Sequence, residues 1–106
     1  MAKYLLEVNY SLEGIRGVKA KGGSARVAAA KELIEGLGGK IESFYFAFGG
    51  SDVFVVADMP DNVTAAAAAL TVSAGGGATT KTIALITPEE MDAAAKKETT
   101  YRPPGG

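Results

Sequence analysis

The stretch "KIESFYFAFGGSDVFVVAD", residues 40–58, sets two hydrophobic runs on either side of Gly49-Gly50-Ser51-Asp52. Aromatic and β-branched runs that flank a short glycine-bearing break are the pattern of two antiparallel strands joined by a hairpin. The spacing predicts strands over 40–48 and 52–58, with the glycines accepting positive φ at the turn. Strict alternation puts Ile41, Ser43, Tyr45 and Ala47 on one face of the first strand and Glu42, Phe44, Phe46 and Phe48 on the other. Aromatic groups then stand on both faces, and a single bulge would exchange every later assignment.

Before this hairpin, residues 3–10 alternate as a strand with Tyr4, Leu6, Val8 and Tyr10 on one side. Ser11 is placed to cap a short helix running to about residue 21, which Gly22-Gly23 breaks. Ser24 is expected to cap a firmer helix whose Ala30, Leu33, Ile34 and Leu37 fall at i, i+3, i+4 and i+7. Gly38-Gly39 supplies the stop. After the hairpin, Asp61 should cap a helix with Val63, Ala66, Ala67 and Leu70 on its buried stripe, ended by Gly75-Gly76-Gly77. Residues 79–86 read as a fourth strand. Thr87-Pro88-Glu89-Glu90 is a capping box with proline at the first helical position, opening a last helix to about residue 97.

The order strand, helix, strand, strand, helix, strand, with a terminal helix, is the α+β, ferredoxin-like βαββαβ pattern of a four-stranded antiparallel sheet. A single domain over residues 1–98 and a tail over 99–106 are expected. Helices on one side leave the other sheet face bare, and a bare face with this much apolar surface implies association with further copies of the chain. The five alanines 65–69 leave the second helix without a charged outer face, which offers a second contact surface.

Composition narrows the chemistry. The 106 residues contain no cysteine and no histidine, which removes disulfides, thiolate ligands and the commonest general base near neutral pH. Neither a metal site nor a cofactor is indicated. Eleven basic and twelve acidic residues, interspersed, give a net charge of −1 and no basic face for nucleic acid or an anionic membrane. The uncharged stretch 62–80 holds only a short alanine run, too short for a membrane span. The start enters a strand pattern at once, and a cytoplasmic location is expected by default.

The segments "ESFYFAFGGSDVFVVADMPD", "KTIALITPEEMDAAAKK" and "YRPPG", with the opening "KYLLEVNYSLEGIRGVKAKGGSAR", resemble the GYD-domain family over nearly the whole chain. The resemblance implies a small, mostly bacterial protein of uncharacterised function with the dimeric α/β-barrel variety of the ferredoxin-like fold. The family's Gly-Tyr-Asp triplet corresponds to Gly50-Ser51-Asp52, so serine replaces the tyrosine while Gly50 and Asp52 remain positions of interest.

Three candidate sites emerge. Asp52 either bonds backbone groups near the turn or serves as an acid, base or ligand anchor. The open sheet face gathers Leu5, Glu7 and Asn9 with Glu42 and Phe44, or with Tyr45 if a bulge flips the register, and Lys81 from the last strand. Aromatic walls with a few polar groups suit a small apolar or aromatic ligand. A Glu7–Glu42 pair would split its two pKa values and so allow acid–base work. Gly22, Gly23 and Ser24 at a helix start, beside Arg26, form a weak anion site, although "GVKAKGGS" lacks the lysine of a true phosphate loop. The leading expectation is a homo-oligomeric ligand-binding module. The alternatives are a cofactor-independent enzyme using Asp52, Glu42 or Tyr45, and a pure assembly module.

Overall fold

A computed structural model describes residues 1–106. The chain runs β1 (Ala2–Tyr10), α1 (Leu12–Lys21), α2 (Gly23–Gly36), β2 (Lys40–Phe46), β3 (Val53–Met59), α3 (Asn62–Ala74), β4 (Ala78–Leu85) and α4 (Pro88–Ala95). The four strands form one antiparallel sheet in the order β2-β3-β1-β4. This is the expected α+β, ferredoxin-like arrangement.

The core lies between the sheet and one helical layer. Tyr4 from β1, Val53, Val55, Ala57 and Met59 from β3, Ile34 from α2, and Ala65 and Ala68 from α3 are its buried members. Every second residue of β3 is buried, the signature of a strand covered on one face only. Helix α2 rests on β2, and α3 rests on β4 and β3.

The register of β2 corrects the strict alternation. Ile41 faces Ala57 and Ser43 faces Val56, so Glu42 is the extra residue of a β-bulge. From that point the faces exchange. Ile41, Phe44 and Phe46 lie toward the helices, with the rings of Phe44 and Phe46 tilted 5.4 Å apart, while Ser43 and Tyr45 lie on the bare face. The strand also ends at Phe46, before the expected residue 48, and Phe48 stands wholly in solvent at the loop.

Two helix readings need correction. Ser24 is not the cap of α2: Gly22, at φ +82°, holds that position, while its N–H still donates to the Val18 carbonyl at 2.7 Å. One residue thereby closes α1 and opens α2. In α3 the sheet receives Ala65 and Ala68, whereas Val63 and Leu70 point to solvent at 80% and 70% exposure. Alanine's small side chain lets the helix axis come close to the sheet, and larger residues on the same face would hold it off.

The other caps follow the sequence. Ser11 accepts from Gly14 N–H, and Thr87 and Glu90 complete the capping box of α4. Asp61 accepts from both the hydroxyl and the N–H of Thr64, at 2.7 and 2.8 Å, and these bonds hold its carboxyl below the ordinary 3.8. Because the folded value is the lower one, the contribution to stability is whole above the ordinary value and disappears as pH falls through the folded value. The stability gap between Asp61→Ala and the parent chain is therefore expected to narrow on acidification. A urea-unfolding series across acid pH reads it, and a gap independent of pH would refute the assignment.

Beyond β4 the chain leaves the body. No residue of α4 is buried, and the radius of gyration is 16.9 Å against roughly 13 Å for a compact chain of this length. Residues 86–106 form an arm.

Candidate functional site

The bare sheet face is organised in rows by the strand register. Tyr45, Phe54, Glu7 and Lys81 stand side by side across β2, β3, β1 and β4. Ser43, Val56, Leu5 and Ile83 form the next row, and Lys40, Asp58, Lys3 and Leu85 the one after it. Tyr45 is 70% and Ile83 41% exposed. The middle of the face is an apolar field crossed by Glu7 and Lys81, with Lys3, Lys40 and Asp58 along one end, and no helix covers it.

Glu7 and Lys81 are direct cross-strand neighbours, as the sequence suggested, but they make no ion pair; the only ion pairs in the chain belong to Lys3. Lys3 bonds Glu42 and, at 3.2 Å, Asp58. The hydrogen bond to Glu42, followed by that to Asp58, raises the lysine above its ordinary value. The expected Glu7–Glu42 pairing is not formed. Glu42 is drawn to Lys3, roughly 13 Å along β1 from Glu7. Asn9 lies opposite Thr79 at the far end of the face.

Asp52 ties the hairpin loop to β1. Its carboxylate accepts from the N–H of Tyr10 at 2.7 Å, its own N–H donates to the Val8 carbonyl at 2.8 Å, and its carbonyl accepts from Ala47 N–H at 2.9 Å. The partner lies on the neighbouring strand and not within the turn. The same residue borders an open hollow of about 490 Å³ between α1 and the loop, edged by Ile15, Val18, Phe46 and Phe48. Asp52→Ala leaves a backbone donor unpaired and is expected to cost about 1–3 kcal/mol, while Asp52→Asn, which retains an acceptor oxygen, costs less than about half of that. Equal losses from the two changes, read by chemical denaturation, would exclude this role.

Gly22, Gly23 and Ser24 do lie at the start of α2, but the Phe46 ring sits against Gly23, so that a Cβ there would come within 2.8 Å of it. This end of the helix is partly shielded by an aromatic edge. Arg26, one turn on, points elsewhere: it borders a slot between α2 and α3.

That slot is absent from the sequence reading. It is a cavity of about 110 Å³ over the helix side of the sheet, with fifteen of its seventeen lining residues hydrophobic; Arg26 and Thr80 are the two polar ones. Its floor is Leu6, Val8, Val53 and Val55, and its walls include Ala29, Ala30, Leu33, Ala68, Ala69 and Val72. The cause is local. Alanines on the facing sides of two helices cannot fill the space between them. The one available signal was the pairing of alanine runs at 28–30 and 65–69.

No helix is long and apolar enough to cross a membrane. Neither the curated proteins nor the solved structures include one that matches this chain. The family model of the GYD domain matches residues 4–95, which takes in the sheet from Tyr4 onward, α1 to α4 and the bulged hairpin, and the chain belongs to the GYD domain family.

Proposed function

We propose that this chain is a self-associating small-molecule-binding module, in which the bare sheet faces of two copies pack together and a small, largely apolar or aromatic ligand occupies the space beside Tyr45, Phe54, Glu7 and Lys81. The observation that carries the reading is the row structure of that face, where Leu5, Phe54, Val56 and Ile83 form a continuous apolar field with no covering element. Only 9 of 106 residues are buried in the single chain, too few for a subunit that is to remain alone with this surface wet. Glu7 and Lys81, unpaired within the subunit, would fix the orientation of a bound molecule or meet their counterparts across a two-fold axis.

A binding role accords with the side chains better than acid–base catalysis. The Asp52 carboxylate is occupied by a backbone N–H and that of Glu42 by a lysine, so both are already engaged within the chain. Sedimentation equilibrium at micromolar concentration tests the association, and a dimer is expected. A stable, folded monomer under those conditions would overturn it.

A further inference from the structure

We propose that the slot between α2 and α3 is a second binding site, selective for small aliphatic monocarboxylates of about four to six carbons. The site lies on the opposite side of the sheet from the bare face and does not depend on self-association.

The argument starts from the shape of the opening. The slot shares Tyr10, Arg26, Val72 and Ala78 with an adjoining cleft of about 430 Å³, which continues outward past Glu13, Gly14, Gly17 and Lys21. A dry chamber thus leads directly into a wet vestibule, with Arg26 where they meet. Such a profile fits an amphipathic molecule, apolar at one end and charged at the other.

Charge selects the sign of the head group. Arg26 makes no ion pair and no hydrogen bond within the chain, and Lys21 adds a second cation against the single acid Glu13. A guanidinium presents parallel N–H donors that match the two oxygens of a carboxylate. Thr80 also borders the slot, and its hydroxyl makes no hydrogen bond within the chain.

Volume sets the tail. A cavity of about 150 Å³ lined by aliphatic and aromatic groups accepts benzene and stays dry when empty. At about 110 Å³ and open to the vestibule, this slot takes a flexible tail of three to five carbons in preference to a rigid ring. Each buried methylene tightens binding about fourfold, so acetate, which leaves the chamber unfilled, binds far more weakly than hexanoate.

The test titrates the full chain with hexanoate, hexan-1-ol, hexylamine and acetate, following methyl resonances by NMR. Hexanoate is expected to bind about tenfold more tightly than hexan-1-ol, with shifts at Leu33, Val55 and Val72; hexylamine and acetate bind weakest. Arg26→Gln, a change at an exposed position, should remove the tenfold preference and leave the affinity for hexan-1-ol as it was. Ala69→Phe should abolish binding of both while the amide spectrum stays folded. Equal binding of hexanoate and hexylamine, or an unchanged preference in Arg26→Gln, overturns the proposal. So do shifts confined to Leu5, Val56 and Ile83, which would return the ligand to the bare face, and so does a slot that takes no probe because a side chain from a second copy fills it. Sedimentation of the same samples reads self-association separately, so that either proposal can fail alone.

Discussion

Gly14→Ala is expected to destabilise the chain by roughly 3 kcal/mol, although alanine is the better helix former. A Cβ at Gly14 would overlap the carbonyl oxygen of Gly77 and lie 3.2 Å from the Tyr10 ring. That carbonyl cannot withdraw cheaply, because it accepts both the N–H of Ser11 at 2.9 Å and its hydroxyl at 3.1 Å. The three bonds around Ser11, including the one from Gly14 N–H, pin the start of α1 to the loop that leads into β4. Relief of the clash must break this anchor or tilt the helix. Gly17, in the same helix, has no neighbouring atom within 4 Å of where a Cβ would stand, so Gly17→Ala should stabilise by up to about 1 kcal/mol. Opposite signs from one chemical change three residues apart, measured by urea unfolding, would establish the close approach; matching signs would refute it.

In the proposed face-to-face dimer, Phe54→Glu should weaken self-association by about 100-fold or more while the far-ultraviolet circular dichroism stays as it is. Phe54 stands at the centre of the bare face between Tyr45 and Glu7. Burying its ring in an interface makes it an anchor of the kind whose loss costs about 2 kcal/mol or more. The new carboxylate would also stand beside Glu7 and repel it when desolvated. Leu70→Glu, on the outward face of α3, separates this reading from one in which helices make the contact. If Leu70→Glu dissociates the assembly and Phe54→Glu leaves it intact, the sheet-to-sheet arrangement is wrong.

The element order was legible because each boundary carries its own chemistry: Ser11, Asp61 and Thr87 cap helices, Gly38 turns with φ +82°, and β3 alternates without interruption. What escaped is information held in three dimensions. The bulge at Glu42 adds one residue to a run that alternates cleanly, and no glycine or proline marks the place. Its effect on the candidate site is large, since it sends Phe44 inward and Tyr45 outward. The burial of α3 was misread because a helix apolar all round has no preferred face; the choice fell to the sheet, which favoured close approach by Ala65 and Ala68 over the bulk of Val63 and Leu70. The slot left only the facing alanine runs as a trace, because a cavity is the space that side chains leave unfilled. Asp52 was half legible: a short acid near a turn predicts a backbone partner, but the partner was Tyr10 on another strand.

The arm of residues 86–106 affects how the size of this molecule is measured. With a long axis of 57 Å against 33 and 22 Å, one copy diffuses as an elongated particle. Friction grows with asymmetry, so gel filtration calibrated on spherical standards would report an inflated mass for a single chain. Mass has to be taken from light scattering or equilibrium ultracentrifugation, in which particle shape drops out.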